Sequence, residues 1–243
     1  MGPEAMKNPA YYAKPGSTAG DLLAILHPPY TAWHLSYVAM GAALAPTLDW
    51  QRLLGTLVAF FLGTGVAAHS LDELKGRPLG TKLSNEVLWA LGVGGLAGAL
   101  VVAAVGASVI SPWVWLWAGI GSLLATGYAL ERPGWLHTTI GFALAWGGFP
   151  ALVGYWAQTE MVSVSAVLLA IAASLVSAAQ RVLSTPARHV RRQVERTEMH
   201  LERSDTVEVW DEARVLATWE RPLRLLAWSM VALAAGLVLA RTI

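Results

Sequence analysis

His69, Asp72 and Glu73 are the residues of this chain whose types and spacing are best suited to chemistry. On a continuous helix they stand at i, i+3 and i+4 and share one face. A histidine beside two carboxylates can hold a cation or move a proton. Such groups are costly at the end of a membrane span, so they mark a functional site by default. The plainer alternative is a solvated loop just outside the bilayer. The trio opens a polar stretch, 69–86, punctuated by Gly76, Pro78 and Gly80 in the manner of a tight loop. Ser84 is placed as N-cap of the next helix and Glu86 lies in its first turn, where a carboxylate suits the helix dipole.

The elements that position this stretch are apolar. Of 243 residues, 55% are hydrophobic and 14% charged, a balance foreign to ordinary soluble domains. Runs of about 20 apolar residues, enough to cross hydrocarbon, fall near 31–48, 52–70, 87–107, 111–130, 136–157, 162–183 and 222–241. They predict an all-α fold, a polytopic transmembrane bundle of about seven spans with a cytoplasmic helical hairpin before the last. The expected organisation is a flexible tail over 1–20, a six-span bundle over 21–185, an amphipathic helical hairpin over 186–221 and a final span over 222–243. The short apolar run 22–26 is too brief for a signal peptide. With no cysteine, disulfides and thiolate metal sites are excluded.

Alternating the spans places all of the 17 Lys and Arg residues except Arg52 and Arg241 on one side. The positive-inside rule then predicts an integral membrane protein with a cytoplasmic N-terminus and an outside C-terminus. The same alternation gathers His34, His69, Asp72, Glu73, Glu131, His137, Gln180 and Arg181 on the cytoplasmic side. Apolar walls with one polar mouth suit an amphipathic molecule, head at the mouth and tail among the helices. Pro150 should kink the fifth span, leaving a carbonyl for a neighbouring helix to satisfy. In 187–220, Ser204 or Asp205 would cap a second helix. That hairpin, carrying Arg188, Arg191 and Arg192, is long enough to cover the mouth as a lid.

Pro28-Pro29 before span one, the loop Arg77-Pro78-Leu79-Gly80 with Ser84, Tyr128, the Gly-rich fifth span with Pro150, and Tyr155–Thr159 form a longer pattern. Over roughly 22–185 it resembles the UbiA-type intramembrane prenyltransferases. The resemblance implies binding of a prenyl diphosphate through Mg²⁺ held by two Asp-rich motifs, and transfer of the prenyl group to an acceptor. Aligned on span two, His69 stands where the family has Asn, Ser70 replaces the first Asp and Glu73 the second, with Asp72 one residue away. Where the second motif belongs, the chain reads Gln180-Arg181-Val182-Leu183-Ser184-Thr185-Pro186.

The sequence thus supports a UbiA-like enzyme acting on an isoprenoid or other lipid at the cytoplasmic mouth. Asp72, Glu73 and His69 would carry the chemistry, and Arg77, Lys82, Arg181 and Arg188 would face a phosphate or diphosphate. Two alternatives stand beside it. His69, Asp72, Glu73, His34 and His137 are ligand types for Zn or Fe on the same fold. A non-catalytic lipid-binding or scaffold protein is the other. The expected cofactor is a divalent metal, Mg²⁺ by resemblance; the expected partners are a lipid or isoprenoid and the bilayer, not nucleic acid.

Overall fold

A computed structural model describes residues 8–13 and 16–241. Its frame is a set of helices in chain order: α1 (Thr18–Ile25), α2 (Pro28–Leu44), α3 (Trp50–Leu74), α4 (Asn85–Val109), α5 (Val114–Ala129), α6 (Thr139–Thr159), α7 (Val164–Gln193) and α8 (Glu212–Leu239). Helices α2 to α8 fall on the seven apolar runs. Five of them, α3, α4, α6, α7 and α8, are long and apolar enough to cross a membrane. The fold is all-α apart from one small hairpin.

Local chemistry explains where the helices begin. Pro28 and Pro29 sit at the first positions of α2, where a missing N–H costs nothing and φ is already helical. Asp49 caps α3, its carboxylate accepting from the Gln51 and Arg52 amides at 2.8 and 3.0 Å. Ser84 caps α4 through the Val87 amide, as its position suggested. Thr138, Ser163 and Asp211 cap α6, α7 and α8 in the same way.

Helix α2 is the centre of the bundle. Trp33, Tyr37 and Met40 pack with Ala151 of α6, Ala170 and Ala173 of α7, and Leu223 and Ala227 of α8. Small residues bring the backbones together. A Cβ on Gly41 would fall 2.1 Å from the Ala151 carbonyl oxygen, and one on Gly147 would fall 2.5 Å from that of Ala173. Without a hydrophobic driving force between helices in lipid, such close backbone packing is how spans associate.

Two helices are wound loosely part-way along. Residues Phe61–Ala68 of α3 and Leu144–Gly148 of α6 are π-helical, a local geometry that recurs at functional sites. The second lies immediately before Pro150, the residue expected to disturb this span.

Residues 187–220 differ from the expected helical hairpin. Helix α7 runs through Pro186 to Gln193, and Met199–Arg203 (β1) then pairs antiparallel with Thr206–Trp210 (β2), Arg203 opposite Thr206. The strands alternate apolar and polar residues and are rich in β-branched types, a period of two rather than 3.6. Ser204 and Asp205 form the two-residue turn, and the helix they were expected to cap begins instead behind Asp211. Leu216 and Trp219 of α8 pack on Ala187 and Val190 of α7, while Val207 of the ribbon is exposed. The lid reading loses its helices: what projects here is a thin exposed ribbon.

The tail reading of 1–20 lies partly outside the described residues. Where it is described, Ala13 is fully buried and Ala10 nearly so. They form a second apolar cluster with Ala24, Ile25, Leu79, Leu83 and Leu88. Arg191 and Arg192 hold the segment by the Asn8 and Pro9 carbonyls.

Candidate functional site

The trio at the end of α3 does not act as one group. Glu73 is fully buried, and its carboxylate accepts from the Leu79 amide, the Thr81 amide and the Thr81 hydroxyl, each at 2.9 Å. From the other side, buried Asp21 accepts from the Lys82 amide at 2.8 Å. Two carboxylates therefore anchor the 75–84 loop, and buried backbone donors there are satisfied as folding requires. Asp72, partly buried, lies in the fields of Arg192, Glu73, His137 and Arg188. His69 places its ring 4.3 Å from that of His27, a residue in left-handed conformation at the start of α2. Burial, followed by the charges on His69, Arg192 and Arg188, holds the His27 imidazole well below its usual pKa. Its Nδ1 bonds with the Tyr12 hydroxyl.

The other expected site residues are dispersed over this end of the bundle. Arg77 bonds the Leu83 carbonyl and Asn85, stapling the loop to the start of α4. Lys82 is exposed. His137 bonds the Tyr128 carbonyl through Nε2 at 2.8 Å and stacks on the Tyr128 ring at 4.2 Å. Arg181 donates to the His137 carbonyl, and its guanidinium lies over Phe142. Arg188 donates to the Thr185 hydroxyl of its own helix at 3.4 Å. Among the described residues, no three His, Asp or Glu side chains gather as a metal-binding group. With both oxygens of Glu73 committed to the loop, the expected ligand set does not fit a metal centre.

A cavity of about 450 Å³ lies in the other half of the molecule, lined by α3, α4, α5 and α6. It runs from Asp49 and Arg52 at the start of α3, past Phe60, Trp117, Phe149 and Trp156, to His34, Thr64 and Trp146. The α3 residues that line it are those nearest the 45–49 turn, whereas the polar loop follows the opposite end of that helix. An apolar chamber beneath the polar loop is therefore not what the chain builds.

The inner end of the cavity is where the two π-helical segments meet α2. Pro150 has no N–H, so the Trp146 carbonyl four residues earlier loses its helical donor. His34 of α2 provides the replacement, its Nδ1 lying 3.1 Å from the Trp146 oxygen. Its Nε2 faces the Thr64 hydroxyl of the α3 π segment at 3.4 Å, and the ring is held between Phe60 and Trp146. At the outer end, Arg52 donates to the Ala157 and Gln158 carbonyls and to Glu160 at 3.2, 3.3 and 3.4 Å. Asp49 Oδ2 lies 3.9 Å from its Nε.

His34 was expected among metal ligands at the polar mouth; its place in the cavity wall was not read from the sequence. Pro150 was the available signal, since a freed carbonyl needs a donor. Thr64 gave none.

No family model, curated protein or solved structure matches this chain.

Proposed function

We propose that the chain is an integral membrane protein that holds an isoprenoid or other single-chain lipid inside its helical bundle. The observation that carries this reading is the cavity between α3 and α6. At about 450 Å³ it falls within the range of small-molecule sites, and its walls have the usual composition, mostly apolar and aromatic with a few placed polar groups. The loop resemblance to UbiA-type prenyltransferases supports an isoprenoid as the class of ligand. The basic residues, concentrated at the loop end, favour an orientation with that end in the cytoplasm, so that the cavity occupies the outer half. Prenyl transfer at the loop end is the second reading. In its favour are Arg188 and Arg192, basic residues that line a small cavity with Tyr12, His27 and Tyr30.

Filling the cavity tests the first reading. A Cβ on Gly55 meets nothing within 4 Å, and one on Gly63 meets only Ala99 at 3.8 Å, so Gly55→Phe and Gly63→Leu can occupy the space without disturbing a helix contact. Lipid extracted from purified protein and identified by mass spectrometry should fall several-fold in both variants while the unfolding temperature holds. Undiminished lipid would refute the reading.

A further inference from the structure

We infer that the cavity selects an uncharged long-chain alcohol of isoprenoid type, bound with its hydroxyl inward against His34 Nε2 and Thr64. The inference rests on the binding reading above and adds to it the head group and the direction of insertion.

The tautomer of His34 is set by its partner. A carbonyl oxygen can only accept, so the Nδ1 facing Trp146 at 3.1 Å carries the proton. The neutral ring then presents Nε2 as a lone pair. An imidazolium here would sit in an apolar wall with no carboxylate among the groups around the ring, a costly arrangement. Beside Nε2 stands the Thr64 hydroxyl, at 3.4 Å. That separation is beyond the usual range for a strong bond between them. A ligand hydroxyl satisfies both, donating to Nε2 and accepting from Thr64. A carbonyl can only accept, so taking the Thr64 proton withdraws it from Nε2, whereas a hydroxyl that accepts from Thr64 returns a donor to Nε2.

The outer end argues against an anionic head. Arg52 is the one Lys or Arg side chain lining the cavity among the described residues. Its guanidinium is already divided between two backbone carbonyls and Glu160, with Asp49 close by. Two carboxylates to one guanidinium leave this rim with an excess negative charge. A carboxylate or phosphate would meet repulsion there, and at the inner end it would face a lone pair. At the deep end, between Phe60 and Trp146, the polar atoms are instead a neutral pair, His34 Nε2 and the Thr64 hydroxyl, joined by one long hydrogen bond of 3.4 Å.

The test uses full-length protein in lipid nanodiscs and one isoprenoid chain bearing an alcohol (farnesol), an aldehyde, a carboxylate or no head group. The alcohol should bind about tenfold more tightly than the aldehyde, the loss expected for one hydrogen bond, and more tightly still than the hydrocarbon, which makes neither bond; the carboxylate should bind weakest. His34→Asn keeps a donor near Trp146 and removes Nε2, so it should erase the preference for alcohol while the chain still binds. Thr64→Val, which removes only the hydroxyl, should narrow the same preference if the histidine variant does not fold. Gly55→Phe should weaken all four. Equal binding of the four by wild type, or a carboxylate preferred, overturns the head-group inference and leaves the cavity reading standing. No binding at all, or binding indifferent to Gly55→Phe, removes the reading and the inference together.

Discussion

Gly154 and Val38 approach more closely than any side chain would allow: a Cβ built on Gly154 would lie 2.2 Å from the Val38 carbonyl oxygen. Together with Gly41 against Ala151, this makes the α2–α6 crossing a backbone-to-backbone contact. It is also the contact that holds His34 against Trp146. Gly154→Ala is therefore expected to force the helices apart and to lower stability by about 1–3 kcal/mol, as overpacking does. Thermal unfolding in detergent measures this; an unchanged midpoint would show that the crossing is looser.

Glu73→Gln should loosen the 75–84 loop. The amide keeps one acceptor and sets an NH2 group against backbone donors, and bonds to a charged acceptor contribute about 1.5–3 kcal/mol each. The variant is expected to unfold at lower temperature and to be cut faster within 75–84 by limited proteolysis. Wild-type resistance would detach Glu73 from the loop and return it to the candidates for chemistry.

Arg191 and Glu220 join α7 to α8 through two bonds, one of 2.8 Å from Nη2. Glu220 is 4% exposed, so removing one partner strands a buried charge, at about 3–5 kcal/mol. Arg191→Met, which leaves buried Glu220 with Arg224 at 3.8 Å, should be strongly destabilised in thermal unfolding. The double variant Arg191→Met with Glu220→Leu should recover most of the loss. Failure to recover would mean that the pair contributes through its charge and not merely through packing.

Shortening the β1–β2 ribbon should change little. Every β1 residue is exposed, and the Arg214–Glu208 ion pair at its base is half-exposed on both sides, where such pairs contribute about 0–1 kcal/mol. A variant in which a short Gly-Ser turn replaces 199–210 should keep its unfolding temperature and its lipid content. A large drop would assign the ribbon a structural role.

Orientation has its own measurement. Reporters fused after Ile243 should be active outside the cell, and reporters at the N-terminus inside. A cytoplasmic C-terminus would break the alternation of seven crossings.

The helices were legible because a run of about 20 apolar residues has few other uses, and five of them are long and apolar enough to cross a membrane. The ribbon was legible too, in the alternation of 199–210, but a charged stretch between two spans reads more readily as amphipathic helix. The candidate site was half-legible. Pro150 announced a carbonyl in need of a donor, yet nothing local says that the donor is His34, more than a hundred positions away. For His69, Asp72 and Glu73, helical spacing placed three side chains on one face. Adjacent residues still diverge by about 100° on a helix, and Glu73 turned toward a loop whose path only the folded chain defines.

The wall on the far side of the cavity is thin. Helices α4 and α5 form it, and exposed Val101, Leu116 and Leu123 stand on their other sides. In the proposed setting that wall is all that separates the chamber from the surrounding acyl chains. Occupancy then follows the ligand's mole fraction among lipids and not its concentration in water. Adding bilayer would empty the protein, whereas adding buffer would leave it loaded.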